Sequence, residues 1–149
     1  MLAAFKLRAV PININYRYVE DELRYVLADA DATAVIAHQQ FGPKLTAIRD
    51  GLPALHTFIA VADGTDALFP DAIEYEAALA AAASVRDFDE RSADDLYILY
   101  TGGTTGMPKG CIHTQRDMLY TAGTSLAASF ELTPDDVAVN FVPIFWIPG

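Results

Sequence analysis

The chain has 149 residues, 52% hydrophobic and 20% charged, enough to bury the core of one globular domain or of a piece of one, and too apolar for disorder. Its net charge of −10, with no Lys or Arg beyond Arg116, excludes a nucleic-acid binder, whose affinity rests on clustered cations. One cysteine, Cys111, cannot form an internal disulfide, and no stretch reaches the roughly 18 apolar residues of a membrane span, nor does the opening MLAAFK resemble a signal peptide, so a cytoplasmic protein is expected.

Along the chain, residues 10–15 (VPININ) alternate apolar and polar and predict a short strand, with Pro11 confining it to an edge or to its first residues. Glu20, Asp21 and Glu22 place negative charge where a helix macrodipole favours it, and Leu23, Val26, Leu27 and Ala30 follow at helical spacing. Residues 33–37 (TAVIA) predict a buried strand, residues 44–49 a short helix with Leu45 and Ile48 inward, and residues 55–62 (LHTFIAVA) the next strand. Strand, helix, strand, helix, strand is the order of an α/β sheet with crossover helices. Asp71 and Glu74 predict a capping box for the alanine-rich segment ending near Ala83. Residues 84–95 are polar and read as a surface connection to a strand over residues 96–100. Beyond, residues 111–113 predict a strand. Thr114 with Asp117 predicts the start of a helix whose apolar face is Met118, Leu119, Ala122, Leu126 and Phe130, and a further strand is expected over residues 137–142.

Between the strands at residues 96–100 and 111–113 lies YTGGTTGMPKG, residues 100–110. Glycines allow positive φ and remove side chains that would keep a ligand from backbone N–H groups. Threonine hydroxyls add donors, and Lys109 adds a point charge for phosphate oxygens. Together these describe a phosphate grip. The loop is not a Walker A motif, because Lys109 stands between Pro108 and Gly110, and GxGxxG does not fit it either. A bland alternative stays open, in which Gly and Pro only turn the chain between two strands.

Residues 101–110, TGGTTGMPKG, closely resemble the TSGTTGxPKG signature of the adenylate-forming superfamily, whose members include acyl-CoA synthetases, aryl-CoA ligases, luciferases and nonribosomal adenylation domains. The one departure is Gly102 where serine is usual, which removes a hydroxyl donor. Residues 4–11 (AFKLRAVP), 15–17 (NYR) and 22–27 (ELRYVL) resemble an upstream block of fatty acyl-CoA synthetase-like members, and residues 142–146 (VPIFW) resemble a downstream P-x-F-H element with Trp146 in place of histidine. The resemblance implies part of the layered α/β N-terminal domain of these enzymes, over residues 1–149, truncated at both ends and without the C-terminal domain. It implies ATP, Mg²⁺ and coenzyme A as cofactors, and a two-step ligation of a small carboxylic acid. It assigns Thr101, Gly102, Gly103, Thr104, Thr105, Gly106 and Lys109 to the ATP phosphates and Phe145, Trp146 and Gly149 to the substrate pocket. No catalytic residue falls within the chain, so it would be inactive alone. A non-catalytic module, or an adenylation domain serving a carrier protein or a luciferase-like reaction, stands as the alternative.

Other residues carry the plainer expectation. His38, His56 and His113 lack zinc-site spacing. Asp94–Asp95 and Asp135–Asp136 read as solvated turn carboxylates rather than Mg²⁺ ligands. Cys111 reads as a small buried hydrophobe, and Tyr16, Tyr18 and Tyr25 as packing aromatics.

Overall fold

A computed structural model describes residues 1–85, 87–101, 106–125, 133 and 135–137. In chain order the elements are α1 (Leu2–Lys6), β1 (Ile12–Asn13), α2 (Glu20–Asp29), β2 (Ala34–His38), α3 (Gly42–Ile48), β3 (Thr57–Val61), β4 (Ile73–Glu74), α4 (Tyr75–Ala81), β5 (Leu96–Thr101), β6 (Lys109–Thr114) and α5 (Gln115–Ser125). They fall into two compact units, Arg17–Arg86 and Met1–Tyr16 with Asp87–Gly149. The α/β class expected from the alternation is what forms.

In the unit Arg17–Arg86, β2, β3 and β4 make a parallel sheet in that order, from Ala34↔Thr57 to His38↔Val61 and with Ile59 opposite Ile73. The first turn of α2 carries the three expected acids, and Glu22 Oε2 accepts the N–H of Val19 at 3.1 Å. Leu23, Val26 and Leu27 are buried at i, i+3 and i+4, the spacing that puts side chains on one helix face. Asp31 ends α2 in the left-handed region at φ 46, where it lets Ala32 N–H bond back to Leu27 C=O at 3.0 Å. Leu45 and Ile48 of α3 are buried as expected. Gly42 opens that helix against Phe69; a Cβ there would lie 2.5 Å from Phe69 Cβ and 2.6 Å from the Leu68 carbonyl oxygen.

Two expectations fail in this unit. The strand at residues 33–37 is not buried. Side chains alternate between sheet faces, and Ala34, Ile36 and His38 lie on a face left exposed, Ile36 by 61%. Nor does Asp71 cap the alanine-rich helix. Asp71 sits at φ 62 and accepts from Arg49 Nη1 at 3.1 Å. Because α4 starts at Tyr75, Glu74 alone is the cap and accepts from the N–H groups of Glu76 and Ala77 at 3.0 and 2.6 Å. The helix ends at Ala81, since Ala82 is extended.

In the other unit β5 lies between β1 and β6. β1 runs parallel to it, with Ile12 opposite Ile98, and β6 antiparallel. Phe5 of α1 is buried edge-on against Tyr97 at 6.1 Å between ring centres. The predicted box at the start of α5 is present: Thr114 N–H donates to Asp117 Oδ2 at 2.9 Å, and Asp117 N–H donates to Thr114 Oγ1 at 3.1 Å. Its expected apolar face is not buried. Met118 is half-buried, Leu119 is 70% exposed and Ala122 is exposed, and no described residue of α5 is buried. Leu126, Phe130 and all but Val137 of the expected strand at 137–142 lie outside the described residues.

Candidate functional site

β5 and β6 form a hairpin stem of six register pairs, from Leu96↔Thr114 at the base to Thr101↔Lys109 at the mouth. The glycine-threonine loop joins the mouth's two sides. The turn reading and the grip reading are therefore compatible, since a loop between two strands is also one that a rigid stem can aim. Of the residues assigned to phosphate, Thr101, Gly106 and Lys109 are described; Gly102, Gly103, Thr104 and Thr105, like Phe145, Trp146 and Gly149, lie outside the described residues.

Thr101 and Lys109 stand directly opposite each other, so both limbs of the loop leave from a shared pair. Thr101 Oγ1 donates to the Lys109 carbonyl at 3.4 Å, a long and weak bond that a better acceptor can replace. The Lys109 side chain is exposed, and among the described residues no carboxylate forms an ion pair with it. Its ammonium is open to an anionic ligand. Pro108 is buried beside it and fixes the return limb.

Of the described glycines of the motif, Gly110 is the crowded one and Gly106 stands in open space. Gly106 and Gly110 are outside the left-handed region, and among the described glycines only Gly64 has positive φ, at 79. At Gly106 an added Cβ would meet nothing within 4 Å, which leaves backbone accessible as a phosphate grip requires. At Gly110 the neighbours are close: a Cβ would lie 3.1 Å from Tyr100 Cζ and from Ile98 Cγ2. Cys111 is exposed, against the expectation of a buried hydrophobe, because among the described residues nothing covers β6 over residues 109–112, which are all exposed.

Polar contacts fasten the base of the stem. Arg8 Nε and Nη2 donate to Asp95 Oδ1 at 3.0 and 2.8 Å, and Ser92 N–H donates to Asp95 Oδ2 at 2.8 Å. The Asp95 side chain is only 10% exposed, so it is not the solvated turn carboxylate expected; the Arg8 hydrogen bonds and then that of Ser92 hold its carboxyl below the usual range. Arg8 adopts φ 55 in this arrangement. The main chain adds Gln115 N–H to Asp95 C=O at 2.9 Å and Arg116 N–H to Ala93 C=O at 2.8 Å, which tie the start of α5 to the start of β5. Arg116 Nη2 also donates to Asp94 at 2.9 Å. Tyr97 and His113, a register pair, stack at 5.2 Å. Asp136 does behave as a turn carboxylate, accepting from Thr133 N–H and Oγ1 at 2.6 and 2.9 Å.

Sequence reasoning missed Arg8 and Asp95, which are 87 positions apart. Their signal was faint: an Arg shortly before one strand and an Asp directly before another, meaningful only once those strands are known to pair. Among the described residues no three His, Cys, Asp or Glu come together as metal ligands, and no helix is long and apolar enough to cross a membrane. An exposed lysine, a hydroxyl and open backbone suit an anion.

The family model described as AMP-binding enzyme matches residues 1–149. A 3-oxocholest-4-en-26-oate–CoA ligase of Rhodococcus rhodochrous is 49% identical over 120 residues, 79% of this chain and 22% of that protein. The medium-chain acyl-CoA ligase Mig of Mycobacterium avium is 46% identical over 123 residues, 82% of this chain and 22% of that protein. Among solved structures, ATP-bound MatB from Rhodopseudomonas palustris superposes with a TM-score of 0.76 at 29% identity, covering 97% of this chain and 27% of that one. The chain thus spans about a fifth of the length of the curated relatives it matches.

Proposed function

The chain belongs to the AMP-binding enzyme family, and we propose that it supplies the ATP-phosphate-binding part of an acyl-CoA synthetase. In this reading the carboxylate oxygen of an acyl substrate attacks the α-phosphorus of ATP, the bond to the β-phosphate breaks, and pyrophosphate leaves. The sulfur of coenzyme A then attacks the acyl carbonyl, AMP departs, and the thiol proton is given up. Charge builds on the phosphoryl oxygens while the first bond changes hands, and donors already aimed at them lower that barrier.

The observation that carries the reading is the opposition of Thr101 and Lys109 at the mouth of the glycine-threonine loop. Lys109 is assigned to the β- and γ-phosphate oxygens as a charge, Thr101, Thr104 and Thr105 as hydroxyl donors, and Gly102, Gly103 and Gly106 as backbone left open to the phosphates. Gly102 contributes no hydroxyl. Phe145, Trp146 and Gly149 are assigned to the acyl pocket, where Trp146 offers a broad apolar face. Mg²⁺ would arrive with the nucleotide and neutralise phosphate charge; no step here depends on a protein ligand to it. Identities of 49% and 46% to two acyl-type ligases support an aliphatic rather than aromatic acid. A single cysteine, left exposed, fits a cytoplasmic, reducing setting.

The test is a graft. Residues 1–149 replace the matching region of the Rhodococcus relative, and carboxylate-dependent exchange between ATP and pyrophosphate is measured. The graft is expected to support exchange, and Lys109→Ala to lower it by roughly 10²-fold, the scale of losing one phosphoryl-stabilising group. Exchange that is indifferent to Lys109→Ala would remove the assignment.

A further inference from the structure

The pair just inside the mouth of the stem is Tyr100↔Gly110. A Cβ added to Gly110 would lie 3.1 Å from Tyr100 Cζ, 3.3 Å from its hydroxyl oxygen and 3.1 Å from Ile98 Cγ2. The far end of the Tyr100 ring therefore occupies the space over Gly110 on the neighbouring strand, with Ile98, two positions earlier on the same face, beside it. Thr101 and Lys109 belong to the opposite face, because alternate residues of a strand point opposite ways.

That arrangement answers a specific weakness. A glycine-rich hairpin can trade loop residues for stem residues, and a slip of one position turns every side chain of a strand to the other face. Here such a slip would move Lys109 off the face it shares with Thr101. Gly110 is the soft point, since it has no side chain to hold register. An aromatic ring laid across a cross-strand glycine restores that hold.

We propose that Tyr100 is a positioning residue for the phosphate loop: its ring, seated on Gly110, pins the stem so that Thr101 and Lys109 meet the nucleotide from one face. This rests on the loop's assignment to ATP. Substitution of Gly110 displaces the ring; removal of the ring frees the register.

The 149-residue chain and four variants decide the matter: Tyr100→Phe, Tyr100→Ala, Gly110→Ala, and the double variant Tyr100→Ala with Gly110→Ala. Amide hydrogen exchange reports residues 96–101 and 109–114, and calorimetry reports affinity for MgATP. Tyr100→Phe keeps the ring over Gly110 and is expected to lose less than Tyr100→Ala in both. Tyr100→Ala and Gly110→Ala are each expected to lower protection at the mouth of the stem by about tenfold, as overpacking and lost packing do, and to weaken ATP binding by a similar factor. Residues 17–86 should keep their protection. The double variant should lose less than the two single losses combined, because without the ring the added methyl presses on Ile98 Cγ2 alone.

Independent losses in the double variant would overturn the proposal, as would equal damage from Tyr100→Phe and Tyr100→Ala. Lower stem protection in Tyr100→Ala with unchanged ATP affinity would also overturn it, leaving only a structural role. If Gly110→Ala does not fold, the contrast between Tyr100→Phe and Tyr100→Ala decides alone. If the parent chain binds no ATP, affinity is measured in the graft into the Rhodococcus relative, where equal losses in Tyr100→Phe and Tyr100→Ala overturn the proposal, while exchange in the chain still shows whether the ring pins the register.

Discussion

Among the described residues the sheets β2–β3–β4 and β1–β5–β6 each have three strands, and the contacts around them differ. The unit Arg17–Arg86 buries Tyr18, Leu23, Val26, Leu27, Leu45, Ile48, Leu52, Leu55 and Phe58, whereas in the loop-bearing unit only Phe5 and Tyr97 are buried hydrophobics among the described residues. The described contacts of the second unit include the Arg8–Asp95 ion pair, the Thr114–Asp117 box and main-chain bonds at the base of the hairpin. Apolar burial is non-directional and tolerates small displacements. Hydrogen bonds to charged groups are directional, so they set where a strand begins and hence where its far end delivers a loop.

Breaking the first unit should have the largest effect. Ile48→Ala empties a site that is 1% exposed and should cost about 3 kcal/mol in denaturant unfolding, through lost transfer energy and the cavity left behind. Gly42→Ala should follow at about 2 kcal/mol, because the methyl would press on Phe69 and on the Leu68 carbonyl. Equal protection loss in both units after either change would show that they do not differ in kind.

Sharpening the comparison from the other side gives smaller effects. Arg8→Ala should lower hydrogen-exchange protection at the start of β5 and of α5 while leaving residues 17–86 unchanged, since Asp95 loses the partner that orients it. Acid should do the same gradually. The folded carboxyls of Asp95, held by Arg8 and Ser92, and of Asp117, held by the Thr114 N–H and hydroxyl, lie below the usual range. Their contribution is then complete above the ordinary carboxylate value of about 4 and is lost as pH falls through the lower folded values. Asp95→Asn combined with Asp117→Asn should flatten that dependence in the loop-bearing unit, as followed by exchange between neutral and acid pH. Smallest of all, Glu74→Ala should fray α4 and leave both sheets intact, because it removes only the acceptor for the N–H groups of Glu76 and Ala77.

Much of this was legible beforehand because it is local. The faces of α2 and α3, the box formed by Thr114 and Asp117, and the loop signature each depend on residues a few positions apart, and their spacing carries the physics directly. Cap assignment failed where two acids competed, since Asp71 could be told from Glu74 only by where the helix begins. The burial of β2 and of Cys111 was misjudged because a strand's composition does not say which of its faces another layer covers.

By itself the sequence determined the α/β alternation and a glycine-threonine loop between two strands, both properties of short stretches of chain. Only the tertiary structure decided that Arg8 meets Asp95, that Tyr100 lies over Gly110 and that Thr101 opposes Lys109. Those contacts depend on which strands pair and in what register, and register is set by packing and directional bonds summed over the whole hairpin, not by any residue within it.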